Sequence, residues 1–284
     1  MQLGDLRLTL VNGGNFRLDG GAMHGVVPKT IWNRLVSCDD FNRVEYATNC
    51  LLVEGRGQRT LIETGNGDKF PARDREIYGI NHDLSIEKNL RALGVEPESI
   101  DNVVMTHLHF DHSGGATRRV ASGAVEPVFK RARHVIQRGE YEDALHPHER
   151  NRASYLAENF APLEEAGLLR LVDGAAEVAP GVSVVPTPGH TAHHQSVLID
   201  DGHGHKALFL GDVVPTSLHL KLPFIMAYDL DVVGTLETKR RILGRAADER
   251  WMVVFGHDLE LQAGYLGRDA KGQFAIVERV ALAR

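Results

Sequence analysis

Apolar residues along the chain gather in short runs, mostly four to six positions long, rich in Val, Leu and Ile and bounded by Gly, Pro, Asn or Asp. That pattern predicts β-strands, here over 6–11, 49–54, 59–63, 102–106, 134–137, 168–172, 182–186, 196–199, 207–210 and 251–255. Helical spacing lies between them. Over 84–94, Ile86, Leu90 and Leu93 share one face and Gly94 suits the C′ position. Segments 151–166 and 231–247, the latter with Val232, Leu236, Ile242 and Leu243, predict further helices. Strands and helices alternate throughout, with no Ser/Pro-rich linker or charge block, so the expectation is one α/β domain over 1–284. Segment 19–32 breaks the pattern. Its glycines and Pro28 predict a loop, yet Met23, Val26, Val27, Ile31 and Trp32 predict that it packs on its own core, walls an active site or contacts a second copy of the chain.

Composition narrows the classes. With 32 Lys+Arg against 38 Asp+Glu the net charge is −6, and 43% of the 284 residues are hydrophobic, which suffices for a core and excludes disorder and collagen-like repeats. The basic cluster 129–134 reads as a solvated patch, and the acidic total argues against nucleic acid. No run approaches the roughly 18 apolar residues of a membrane span. The N-terminus lacks a basic stretch followed by an apolar one, so cytoplasmic residence is expected. Two cysteines, Cys38 and Cys50, cannot build a thiolate cluster, whereas 15 histidines direct attention to metals and proton transfer.

The histidines concentrate where chemistry would need them. His107-Leu108-His109-Phe110-Asp111-His112 follows the apolar strand 102–106. In extended backbone His107 and His109 point to one side and can share a metal. Asp111 and His112 then turn over the strand end with an oxygen and a nitrogen for an adjacent metal, and Gly114-Gly115 lets the chain turn away. Three other strands end in single donors: His190 after Thr187-Pro188-Gly189, Asp212 after Gly211, and His257 after Gly256. Loops past strand carboxyl ends are where open α/β architectures assemble sites.

Taken together, His107, His109, Asp111, His112, His190, Asp212 and His257 resemble the full ligand set of the metallo-β-lactamase superfamily of hydrolases. The resemblance spans nearly the whole chain. It implies an α/β fold of the four-layer αβ/βα sandwich type with two zinc ions at one edge, one held by His107, His109 and His190, the other by Asp111, His112 and His257, with Asp212 bridging. A set of nitrogens and oxygens without sulfur suits Zn2+ and also admits Fe or Mn. Within the superfamily, Leu18-Asp19-Gly20-Gly21-Ala22-Met23, the following 25–29 and Met226-Ala227-Tyr228-Asp229 resemble the YtnP-type branch of quorum-quenching lactonases, near N-acyl-homoserine lactonases and methyl parathion hydrolase. One departure stands out. Those lactonases carry a tyrosine three residues after the bridging Asp, whereas Val213-Val214-Pro215 follows Asp212, leaving His219 and Tyr228 as the local candidates to polarise a substrate carbonyl.

The implied reaction is attack of a metal-bridging hydroxide on a lactone or ester of a small-molecule substrate, with Asp111 relaying a proton. No Gly-x-Ser-x-Gly elbow offers a competing nucleophile. Met23 and His24 are expected at the substrate if segment 19–32 caps the site. Phosphotriester and thiolester hydrolysis are the alternative reactions, and a metal-bound sensor is the non-enzymatic one. His193 and His194 are expected to orient the loop after His190, and His203 and His205 to sit in a solvated turn. A homodimer contact is expected around 26–32.

Overall fold

The apolar runs pair into two sheets. In the computed structural model, which describes residues 1–283, the first half of the chain contributes β1 (Gln2–Leu3), β2 (Leu6–Asp19), β3 (Arg43–Gly55), β4 (Gln58–Ile62), β5 (Asn102–Val104), the hairpin β6 (Thr117–Arg119) and β7 (Val125–Pro127), β8 (Arg133–Gln137) and β9 (Leu169–Val172). The second half contributes β10 (Ala176–Ala179), β11 (Val182–Pro186), β12 (Gln195–Asp200), β13 (Lys206–Phe209), β14 (Met252–Val254), β15 (Ala263–Arg268) and β16 (Phe274–Arg279). One seven-stranded sheet runs β1-β2-β3-β4-β5-β8-β9 and the other β10 to β16 in chain order.

Side-chain alternation explains why these strands read as unbroken apolar runs. Leu51 and Val53 of β3, and Ala207, Phe209, Met252 and Val254 of β13 and β14, face a core between the sheets. Their neighbours face outward and are covered in turn. Cys50 and Leu52 pack under α4 (Ile86–Ala92), α6 (Arg138–Leu145) and α7 (Ala161–Glu165) through Leu90, Tyr141 and Leu163. Leu208 and Val253 pack under α8 (Val232–Asp248) through Ile242, Leu243 and Ala246. Sheets buried on both faces need apolar residues at successive positions, and the result is a single four-layer α/β sandwich.

Several boundaries differ from expectation. Strand β2 continues past residue 11 to Asp19, because a bulge between Asn12 and Asn15 bends it and lets pairing with β3 resume at Asn15↔Ala47. Segment 151–166 is not one helix: turns and a 3-10 turn, Ala157–Asn159, precede the short α7, where Pro162, lacking an N–H, sits at the helix start. Strands β10, β15 and β16 were not anticipated: Glu interrupts β10, two glycines interrupt β15, and β16 is an edge strand whose residues are half-buried or exposed.

Segment 19–32 is also more ordered than a loop. It forms α1 (Gly20–His24), capped by the Asp19 carboxylate on the Ala22 N–H, and α2 (Lys29–Trp32). Met23, His24, Val27 and Trp32 are buried against Phe16, Phe224 and Met226. Gly25 makes that docking possible. Its φ is +56°, and a Cβ there would meet the Ile225 carbonyl oxygen at 2.0 Å, while the Ala227 N–H donates to the Ala22 carbonyl at 2.8 Å. Gly25→Ala is therefore expected to cost at least about 2 kcal/mol, from positive-φ strain plus the clash, read as a lower urea midpoint with an unchanged slope.

Candidate metal centre

All seven donors singled out above meet at one edge of the sandwich, just past the carboxyl ends of β5, β11, β13 and β14. His107 leaves β5 on Met105-Thr106, His109 stays extended (φ −61°, ψ 156°), and α5 (Phe110–Ser113) then carries Asp111 and His112 back over the strand. Gly67 and Gly115 allow close approach of the loop after β4, since a Cβ on either would lie 2.2 Å from a backbone carbonyl oxygen.

The donors form two triads and a bridge. His107, His109 and His190 make one group with donor atoms within 4.8 Å of one another, Asp111, His112 and His257 a second, and His107, His112 and Asp212 a third that joins them. Asp212 Oδ2 lies 3.3 Å from His190 Nε2 and 4.0 Å from His107 Nε2, whereas Oδ1 lies 3.1 Å from His257 Nε2 and 3.5 Å from His112 Nε2. One carboxylate thus presents an oxygen to each triad. Asp111 Oδ2 stands 3.4 Å from His257 Nε2.

Two observations test whether divalent cations fit. Ring nitrogens converge on one another and on the same carboxylates: His109 Nδ1 is 3.1 Å from His190 Nε2, and His112 Nε2 is 3.2 Å from His257 Nε2. His107 Nε2 and Asp212 Oδ1 are buried without a hydrogen-bond partner. The second observation is charge. Glu63, Asp111, Glu140, Asp212 and Asp229 are all buried, and among the described residues none lies within ion-pair distance of a Lys or Arg. Buried carboxylates need positive charge or hydrogen bonds, and at contact distance here the charge can come only from histidines and a bound cation. The residues present therefore fit divalent metals.

Electrostatics agree. Burial, reinforced by facing histidines, holds His107 and His109 well below the usual histidine range. At His112, His190 and His257 burial works in the same direction but is outweighed, by Asp111 and Asp212 at His112 and chiefly by Asp212 at the other two, so these rings are pushed up. Burial also opposes ionisation of Asp212, yet His257, His112 and His190 hold it well below the carboxylate range. The far nitrogens of His107, His190 and His257 are hydrogen-bonded and that of His112 faces a carboxylate, whereas His109 Nε2 has no partner. The Asp229 carboxylate sits 2.9 Å from His190 Nδ1, the Ala47 carbonyl 2.8 Å from His257 Nδ1, Thr106 Oγ1 3.0 Å from His107 Nδ1 and Glu63 Oε2 3.5 Å from His112 Nδ1. Such partners set the tautomer and orientation of ligating imidazoles.

Glu63 and Asp229 were not anticipated as functional. Glu63 ends β4 in a left-handed conformation, φ +67°, which turns its carboxylate back to accept from the Thr106 N–H at 2.9 Å. Its place at a strand end was the available sign, as was the position of Asp229 one residue after Tyr228. His194 orients a loop, though through the bridging residue: its Nε2 accepts the Asp212 N–H at 3.0 Å, and burial holds its pKa at about 3. His193 lies beyond the cluster at the surface, and His205 is exposed beside Asp201.

A cavity of about 100 Å³ opens over the triads, walled by Leu18, Met23, Tyr78, Phe110, Ser154, Met226 and Tyr228. Met23 and Tyr228 thus stand where substrate would enter. Burial, with Asp19, Tyr78 and Asp111 nearby, raises the Tyr228 phenol and keeps it protonated, a donor rather than a base. His24 and His219 do not line this cavity. His219 accepts from Thr216 Oγ1 at 2.7 Å and donates through Nε2 to the Met23 carbonyl at 2.9 Å, and His24 donates through Nδ1 to the Gly20 carbonyl at 2.7 Å. The two rings stack with Trp32 behind the wall. The expectation that His219 polarises substrate is therefore replaced by a role in holding Met23, because both its nitrogens are already committed.

Burial keeps the His219 imidazole near pKa 3, below the roughly 6.5 of an unfolded histidine. The neutral ring thus adds stability above pH 6.5 that is lost as pH falls. Between pH 6.5 and 4.5 that loss is expected to reach about 2 kcal/mol. Urea melts should show it as the difference between wild type and His219→Gln, a stability gap that narrows by that amount as pH falls from 6.5 to 4.5.

The Metallo-beta-lactamase superfamily profile matches residues 43–257, and the chain belongs to that superfamily; it is a hydrolase of this metal-dependent fold. An N-acyl homoserine lactonase of a Bacillus species is 34% identical over 227 residues, covering 76% of this chain and 82% of the relative. A probable metal-dependent hydrolase from Staphylococcus aureus superposes with a TM-score of 0.89 at 28% identity, over 99% of this chain and all of the other. An N-acyl homoserine lactone hydrolase, solved with N-hexanoyl-L-homoserine at its catalytic metal centre, superposes at 0.70 with 25% identity over 91% and 95% of the two chains. Among the described residues no helix is long and apolar enough to cross a membrane.

Proposed function

We propose that this chain is a dinuclear zinc hydrolase that opens lactones or esters, with N-acyl-homoserine lactones as the first substrate class to test. The observation that carries the reading is the two-sided presentation of Asp212, one carboxylate oxygen to each histidine triad. His107, His109 and His190 would hold one cation, Asp111, His112 and His257 the other, and Asp212 both. The same donor set accepts Fe or Mn. When bound, the pair of cations supplies hydroxide at neutral pH and polarises a carbonyl.

The remaining steps belong to the protein. Asp111, at the cavity floor, takes and returns the proton that the ring oxygen needs on leaving. Tyr228 donates its phenolic proton in a hydrogen bond to the substrate carbonyl oxygen, standing in for the lactonase tyrosine whose place Pro215 occupies. Leu18, Met23, Phe110 and Met226 receive an apolar acyl group and exclude water. Tyr228→Phe should then lower kcat/KM about 10-fold to 100-fold, the worth of one hydrogen bond to a developing charge, with metal content unchanged. The outer face of segment 19–32, where Val26 is 85% exposed and Ile31 51%, supports a contact between two copies, which sedimentation would reveal.

The experiment for the main reading is a substrate panel on the metal-loaded protein: lactones of increasing acyl length, aryl esters, phosphotriesters and thiolesters. Lactone turnover that exceeds the others by tenfold or more is the expected result. A phosphotriester or thiolester preference would replace the lactone reading, and metal binding with no turnover of any class would favour a sensor.

A further inference from the structure

We propose that Glu140 is a positioning residue that holds the triad His107, His109 and His190 in register before any cation binds, an inference that rests on the dinuclear reading above. Glu140 lies on α6 and is fully buried. Its Oε1 accepts from the Leu108 N–H at 3.0 Å and the Tyr155 hydroxyl at 2.9 Å, and its Oε2 accepts from the Thr191 hydroxyl at 2.6 Å. Each donor belongs to a different part of one triad. Leu108 separates His107 from His109, Thr191 follows His190, and the Tyr155 ring meets His109 edge-on at a centroid distance of 4.7 Å.

A carboxylate in this position is costly unless it organises something, since burial pushes its pKa up and no cationic side chain pairs with it. What it organises is a close approach. His109 Nδ1 and His190 Nε2 are held 3.1 Å apart, a spacing at which both nitrogens can reach one cation. One carboxylate spanning the 108 turn and the 191 turn fixes that spacing, so the loops need not be drawn together when metal arrives. The triad Asp111, His112 and His257 makes no hydrogen bond to Glu140; the Ala47 carbonyl backs His257 and Glu63 faces His112 while also holding the Thr106 N–H beside His107. Glu140 therefore bears on one triad alone.

The test is metal binding rather than turnover. The full chain, stripped by a chelator, is titrated with Co2+ followed by its visible absorption, and Zn2+ affinities are obtained by competition with a chromophoric chelator. Wild type should take two equivalents. Glu140→Ala should bind one equivalent as the wild type does and the other about 10-fold to 100-fold more weakly, and Glu140→Gln, which can still accept from Leu108 and donate to Thr191, should lose less. Thr191→Val removes one arm while leaving Glu140 in place, and it should weaken the same single equivalent; it decides the matter if Glu140→Ala does not fold. Unchanged affinities in both Glu140→Gln and Thr191→Val, or equal weakening of both equivalents, would overturn the proposal. A wild type that binds fewer than two equivalents would overturn the dinuclear reading instead.

Discussion

Asp212→Asn should lower kcat/KM by about 10³-fold or more and leave the protein with less than two equivalents of metal. The neutral amide can offer one oxygen, whereas the geometry asks for an anionic oxygen toward each triad, 3.3 Å from His190 and 3.1 Å from His257. Lewis-acid stabilisation by metals is worth several kcal/mol, and at about 1.4 kcal/mol per decade the loss of about 4 kcal/mol is a thousandfold. The loop itself should survive the substitution, because His194 holds residue 212 through its backbone N–H. Elemental analysis and steady-state kinetics on the same preparation check both halves. An Asp212→Asn protein with two metals and full activity would rule out bridging by this carboxylate.

Chelation should have the second largest effect, and on stability as well as activity. Glu63, Asp111, Glu140, Asp212 and Asp229 are buried with no Lys or Arg at ion-pair distance among the described residues, so removing the cations leaves chiefly histidines to offset them. A ligand present at about a thousand times its dissociation constant stabilises the fold by about 4 kcal/mol, and for a chain of this size each kcal/mol moves Tm by roughly 2–4 °C. Stripped protein should therefore melt about 10 °C lower, with no turnover. Zn2+ should restore both and Mg2+ neither, since a mostly imidazole donor set disfavours a hard cation. A melting temperature indifferent to chelator would mean that the cluster is satisfied by protons.

On the proposed reading Tyr228 takes the part of the lactonase tyrosine in whose place Pro215 stands. Tyr228 lines the cavity from the segment that Gly25 and Ala22 fasten to α1. Substitutions at Gly25 and Tyr228 therefore probe one unit, the first through docking and the second through the hydroxyl.

Much of this protein could be read from residues in order. The donors His107, His109, Asp111 and His112 are close in sequence, and period-two backbone with a following glycine turn is local geometry. His190, Asp212 and His257 follow apolar strands and turn residues, so their position at strand ends was equally local, as was α8 with its regular apolar face. Three kinds of feature were decided only by tertiary structure. Which carboxylate oxygen meets which triad depends on the packing of two sheets. The supports Glu63, Asp229 and Glu140 each reach a ligand or its loop across more than 30 residues, so although a strand end marks Glu63 and Tyr228 adjoins Asp229, their partners are not legible in the local sequence. His24 was a candidate because it sits in an apolar segment and His219 because it lies near the position of the missing lactonase tyrosine, but the fold brings Trp32, Gly20, Thr216 and the Met23 carbonyl against them, and a ring engaged in this way holds a wall in place. Donor type and spacing are properties of the chain; occupancy of each donor's hydrogen bonds is a property of its neighbours, which only folding assembles.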